Sequence, residues 1–258
     1  MSVTYELRGD VALLTLDRPE RYNAVTQAVC DDLVTGLETA GTEARAAVIT
    51  GAGKAFCSGA DLSDLMGEYE TGGPDLDRVI GERFNPMVEA LLDAPVPTVA
   101  AVNGAAAGAG MGIALACDLR VLAEESFLLS AFIGLALTPD TGSTWLLPHH
   151  VGLARALELT FSNRRMTAAE ARDLGLTRDV VPANEVVARA LEVAAGLTDG
   201  PTQAYVATRR LLIGATHRDP LSALAEERAQ QGELGTSPAH LEGMQAFLDK
   251  RDPNFRNV

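Results

Sequence analysis

The sequence predicts an α/β fold with a helical C-terminal region, and three observations carry that prediction. Short apolar, β-branched runs alternate with helical stretches through about residue 183. From Asn184 to the end the pattern is helical only. Two glycine-rich turns, one at Gly51–Gly59 and one at Gly104–Gly112, each follow a strand-like run. We divide the 258 residues into an α/β core, 1–195, and a helical region, 196–258.

Taken in order, Thr4 to Leu7 and Val11 to Leu16 read as strands split by Arg8-Gly9-Asp10, a hairpin signal. A polar loop, Asp17 to Ala24, precedes Thr26, which can cap a helix running to about Ala40. Ala46 to Thr50 is a buried strand that runs into Gly51-Ala52-Gly53-Lys54-Ala55-Phe56-Cys57-Ser58-Gly59-Ala60-Asp61-Leu62. Glu68 to Pro74 is polar and Gly-rich, a loop or lid, and Leu76 to Leu92 is an amphipathic helix. Thr98 to Val102 is another strand, Asn103-Gly104 breaks it, and Ala105 to Cys117 reads as a buried helix of small residues. Phe127 to Leu137 is an apolar run ending at Thr138-Pro139-Asp140-Thr141-Gly142, with helices expected at Ser143 to His150 and Leu153 to Phe161. Thr167-Ala168-Ala169-Glu170 has the form of a capping box, and Arg178 to Val181 is a last strand. Helices over about 185–198, 201–214, 219–233 and 238–249 complete the chain.

Glycine costs a helix roughly 1 kcal/mol against alanine. A helix that opens with Gly108 and Gly110 therefore implies a close approach to its backbone, or tight packing between layers. Its first turn offers free N–H groups and partial positive charge, a site for developing negative charge. A dinucleotide fingerprint needs G-x-G-x-x-G, but here Gly112 arrives one residue early and Ile113 holds the third place. A phosphate loop needs G-x-x-x-x-G-K-[ST], but Ala55 stands where the hydroxyl belongs.

The formal net charge of -14 argues against nucleic acid or an anionic membrane as partner. It leaves room for a small anionic ligand on a local basic patch. Met1 to Asp10 does not read as a signal peptide, and no run is apolar enough to cross a bilayer. Cys30, Cys57 and Cys117 have no metal-ligand spacing, nor do the four histidines; we expect no metal, no disulfide and a reducing cytoplasm.

Three stretches together, LDRPERYNAV, GAGKAFCSGADL and PTVAAVNGAAAGAGMGIALACDLRV, resemble the enoyl-CoA hydratase/isomerase (crotonase) superfamily. MTAAEARDLGL and GMQAFLDKRDPNF add to the resemblance, which covers nearly the whole chain in order. It implies a spiral of β-β-α units with a helical region that builds trimers, often paired into hexamers. It implies an acyl-CoA substrate, with coenzyme A as part of the substrate and no separate cofactor. The oxyanion hole would be the backbone N–H groups of Ala60 and Ala109. Arg21, Ala24, Lys54 and Ser58 would hold coenzyme A with Phe247 and Lys250, which match a C-terminal element that in the family often comes from a neighbouring subunit. Leu62, Phe132, Leu137 and Trp145 would line the acyl pocket. Hydratases of the family use two glutamates, and the matching positions here are Gly112 and Phe132, neither able to move a proton. The Pro-Asp ahead of a Trp-Leu-Leu-Pro run is similar to the isomerase of aerobic phenylacetate breakdown and makes Asp140 the candidate proton shuttle. By chemistry alone, Pro-Asp-x-Gly is also a common turn and helix-start pattern. Hydration with Asp140 acting on water, and acyl-CoA binding without catalysis, are the alternatives.

Overall fold

The computed structural model describes residues 1–69, 72–256 and 258, and in it two sheets grow in step as the chain winds. β1 (Val3–Arg8) and β2 (Val11–Leu16) form the expected hairpin about Gly9. Thr26 caps α1 (Gln27–Glu43), its side chain accepting from the Val29 N–H. β3 (Ala46–Gly51) joins β2 in parallel, and β4 (Ala55–Cys57) turns off into the second sheet. Asp61 caps a 3-10 turn at Leu62–Leu65 that leads into α2 (Met66–Tyr69). Glu68 and Tyr69 are thus helical rather than loop, and Glu70 and Thr71 of the expected lid lie outside the described residues.

The helix expected over Leu76 to Leu92 is continuous but not regular. α3 (Leu76–Val79) passes through a π turn at Ile80–Phe84 into α4 (Asn85–Leu92). Pro86 explains the break: it has no N–H and crowds the carbonyl four residues back, so the ladder slips by one. The Asn85 N–H accordingly donates to the Ile80 carbonyl, five residues earlier.

The long small-residue helix is corrected. After β5 (Thr98–Val102), Ala105–Ala107 forms a strand, β6, and α5 spans only Ala109–Ala116. Alanine favours a helix in isolation, but here its backbone completes a sheet between β4 and the later β8, and pairing overrides propensity. Gly108, at φ 52° and ψ −121°, makes the bend between strand and helix. β7 (Leu119–Ala123) and β8 (Phe127–Leu129) repeat the two-sheet step, and Ala131 at φ 66° follows the strand. α6 (Ser143–Val151), α7 (Leu153–Ser162), β9 (Met166–Thr167), α8 (Ala168–Asp173) and β10 (Asp179–Val181) complete the core. Thr167 caps α8, but Glu170 turns to Arg164 instead of closing the box.

The larger sheet runs β1-β2-β3-β5-β7-β10, parallel apart from β1; the smaller runs β4-β6-β8-β9. α5 is buried along its whole length between the sheets and the outer helices, so the packing reading of its small residues holds as well. The helices α9 (Val186–Thr198), α10 (Thr202–Ala215), α11 (Pro220–Leu234) and α12 (Pro238–Asp249) fall within two residues of the expected spans. α9 straddles residue 195 and packs Val186, Ala190 and Ala194 on the large sheet against Val48, Val99 and Val121. No helix among the described residues is long and apolar enough to cross a membrane.

Candidate active site

The two glycine-rich bends are in contact. Gly59 has φ 103°, and a Cβ there would stand 3.0 Å from the Ala107 carbonyl and 3.7 Å from the Ala109 nitrogen. A Cβ at Gly108 would stand 3.7 Å from the Gly59 Cα and 3.8 Å from the Phe132 ring. Both bends therefore need glycine to come together. Val25 and Ala60 form a parallel bridge in which the Val25 N–H donates to Gly59 at 2.8 Å and the Asp61 N–H donates to Val25 at 2.9 Å. That bridge uses the groups on either side of Ala60, so the N–H of Ala60 points to the opposite edge. Among the described residues it has no backbone acceptor. The Ala109 N–H opens α5, one of the first-turn donors with no partner inside the helix. Two free amides thus flank one point of contact between the β4 and β6 ends.

Asp140 enters on the turn before α6. Its carbonyl accepts from the Ser143 N–H at 2.9 Å, and Thr141 (φ 49°) and Gly142 (φ 74°) follow in the left-handed region. Gly142 is the N-cap of α6 and no side chain caps it, so the Asp140 carboxylate is not consumed as a cap. Burial raises its pKa above the ordinary aspartate value, and the Thr141 hydroxyl draws it partly back. The turn rests on α5: a Cβ at Gly112 would lie 2.5 Å from both the carbonyl oxygen and the Oγ1 of Thr141. Asp140 is therefore one residue from a contact with the helix turn that Ala109 opens. The place of the first hydratase glutamate is closed by backbone as well as empty of a carboxylate. The place of the second is Phe132, 9% exposed and packed beside Gly108.

The remaining expected residues separate. Leu62 and Leu137 are partly open to solvent, Leu62 two residues past Ala60 and Leu137 on the loop before Asp140. Trp145 lines a cavity of about 500 Å³ between α5, α6 and α10, whose lining includes none of Ala60, Ala109 and Asp140. Its indole N–H donates to His217, and its ring lies 4.2 Å from His149 and 5.3 Å from His217.

Arg21, Ala24 and Ser58 come together. The Ser58 N–H donates to Tyr22 at 3.0 Å and its hydroxyl to the Arg21 carbonyl at 3.4 Å, while Ala24 is buried beneath. Lys54 is exposed at the head of β4. Phe247 is 78% exposed and Lys250 ends α12 in the left-handed region. α12 lines a cavity with Gly41 and Ala44 at the far end of α1, whereas Val25 and Ala60 meet at the near end. Seventeen residues of helix span about 25 Å, so Phe247 and Lys250 stand well away from this chain's own bends.

Several organising residues carried no weight in the sequence reading. Asn23, buried and at φ 57°, donates to the Ala52 and Ala55 carbonyls and accepts from the Arg18 N–H. Asn103 likewise ties Gly51 to Gly53. The Arg18 guanidinium bridges the Ala24 carbonyl and Asp61, whose carboxyl is held low by Ser63 and then by Arg18. The signals for the two asparagines were their type, since asparagine tolerates the left-handed region and bonds nearby backbone, the strand break at Asn103-Gly104, and the place of Asn23 in the LDRPERYNAV stretch. The three buried thiols are pushed up to about 12 by burial, which keeps them from acting as nucleophiles.

The chain is similar to known proteins along nearly its whole length. The family model described as enoyl-CoA hydratase/isomerase matches residues 6–258. A Rhodobacter capsulatus protein described as a probable enoyl-CoA hydratase is 41% identical over 254 residues, 98% of this chain and 97% of its own. The 1,2-epoxyphenylacetyl-CoA isomerase of Escherichia coli is 35% identical over 247 residues, 95% of this chain and 94% of its own. The crystal structure of an enoyl-CoA hydratase from Polaromonas sp. JS666 matches with a TM-score of 0.91 at 31% identity, covering 98% of this chain and 99% of that one. The fold is therefore that of the crotonase superfamily. The chain belongs to the enoyl-CoA hydratase/isomerase family.

Proposed function

We propose that the protein is an enoyl-CoA isomerase that shifts a double bond from the 3- to the 2-position of a CoA thioester. Asp140 takes a proton from C2. The electron pair moves onto the thioester oxygen, held by the Ala60 and Ala109 N–H groups, giving a dienolate. The dienolate then takes the same proton back from Asp140 at C4, leaving the conjugated 2-enoyl-CoA with no atom gained or lost. Fixed amide donors of this kind contribute about 3 kcal/mol each to the transition state. One observation carries the choice of reaction: Asp140 is a half-buried acid of raised pKa, while the two glutamate places hold a closed glycine notch and a phenylalanine.

Hydration is the second reading, favoured by the description of the Rhodobacter capsulatus relative. The name of the Escherichia coli relative makes ring-bearing acyl groups worth including among the substrates. The test is to mix the protein with 3-enoyl-CoA and with 2-enoyl-CoA and follow the absorbance of the conjugated thioester. A rise with the first supports isomerisation, a loss with the second supports hydration, and binding without change supports a carrier. Asp140→Asn is expected to abolish isomerase turnover while still binding acyl-CoA.

We further propose a homotrimer or a dimer of trimers. Leu241, Met244, Phe247 and Leu248 leave α12 with an exposed apolar face, and a neighbouring copy would bring Phe247 and Lys250 to the coenzyme A that this chain's own α12 is too distant to reach. Three buried free thiols support a cytoplasmic protein.

A further inference from the structure

We propose that Thr141 is a positioning residue for Asp140, and that residue 112 is glycine so that Thr141 can fill the notch over α5. The proposal rests on the isomerase reading, and three independent features of the turn support it.

Thr141 is a β-branched residue at φ 49°, a conformation such side chains rarely adopt. Asparagine or glycine would hold that backbone with less strain. Its hydroxyl is buried in a residue 1% exposed, and Oγ1 makes no hydrogen bond within 3.5 Å among the described residues; the group it acts on is the Asp140 carboxyl, whose pKa it lowers. An unsatisfied buried hydroxyl destabilises a fold, so valine in the same shape would be the more stable choice. Strain and a hydroxyl with no ordinary structural hydrogen bond at one residue, next to the candidate base, mark a group kept for the reaction.

The geometry gives the hydroxyl a task. Thr141 is wedged against Gly112 by its carbonyl and Oγ1, which fixes the turn, and its neighbour is the Asp140 carboxyl. Any side chain at 112 would push Thr141 out and carry Asp140 with it. A carboxylate at 112 and an aspartate working from 140 are therefore alternatives that one backbone cannot hold together. The Thr141 O–H can donate to the Asp140 carboxylate, orienting the oxygen that meets the acyl chain and favouring its ionised form.

The experiment is the pH dependence of kcat/KM for 3-enoyl-CoA in wild type, Thr141→Val and Thr141→Ser. Valine is expected to melt at or above the wild-type temperature, lose at least tenfold in kcat, and move the acidic limb to higher pH. Serine is expected to restore both kcat and the limb. Gly112→Ala is expected to lose tenfold or more in kcat. A Thr141→Val enzyme with wild-type kcat and an unmoved limb overturns the proposal even if Gly112→Ala fails to fold. If Asp140→Asn keeps its turnover, the isomerase reading fails first; if it loses turnover while Thr141→Val does not, only the role of Thr141 fails.

Discussion

Asp140 is the residue at which energetics and chemistry meet. Burial holds its carboxyl protonated to higher pH than an ordinary aspartate. A base must be ionised to accept a proton, so kcat/KM should fall as pH drops through that raised value. In Asp140→Asn no turnover should remain to show that limb, while acyl-CoA binding measured across the same pH range persists. The same shift acts on stability. The folded state binds the proton more tightly than the unfolded chain, so the stabilising contribution is full below the unfolded pKa. It is lost as pH rises through the folded pKa. Asp140→Asn should therefore raise the melting temperature at pH 7, with the gain vanishing at low pH, as thermal scans across pH would show.

At the scale of elements, the site is a meeting of two strand ends. β4 and β6 are neighbours in the small sheet, and each ends in a glycine bend that frees one amide. Gly59→Ala should disturb both the φ of 103° and the 3.0 Å approach to Ala107. The expected cost is about 1–3 kcal/mol of stability for the strained backbone. The misplaced Ala60 amide should lower kcat about 100-fold. Retained kcat with lowered stability would mean that the Ala60 N–H does not face the developing charge. Arg18, Asn23 and Asn103 act at this scale too, stitching the loop at 18–24 and the β3–β4 turn into one support beneath Ala60.

At the scale of the molecule, Arg209 is one strong fastening of the helices after α9 to the core, beside those of Arg45 and Arg256. The Arg209 guanidinium, 7% exposed, pairs with both oxygens of Asp118 and donates to the Ala94 and Val96 carbonyls. Removing Arg209 leaves Asp118 without its counter-charge, held only by the Thr98 N–H and hydroxyl, and takes a donor from two carbonyls. Arg209→Ala should cost about 3 kcal/mol in denaturant unfolding. The exposed apolar face of α12 sets the second prediction at this scale. The solution mass should be that of three or six chains, and Phe247→Ala should weaken acyl-CoA binding only in the assembled form.

The residues by themselves determined the strand–helix alternation, the four C-terminal helices and the two glycine bends. Those signals are local: apolar period, capping side chains and backbone freedom act within a few neighbours along the chain. The brevity of α5, the π turn ahead of Pro86, the stacking of Trp145 with His149 and His217 and the wedge of Thr141 on Gly112 were decided only in three dimensions. Each depends on what lies across from it, whether a sheet edge that claims Ala105–Ala107 or a helix whose missing side chain admits a threonine. Contacts between distant segments leave no period in the sequence, and the seating of Thr141 on Gly112, which brings Asp140 within one residue of α5, is a contact of that kind.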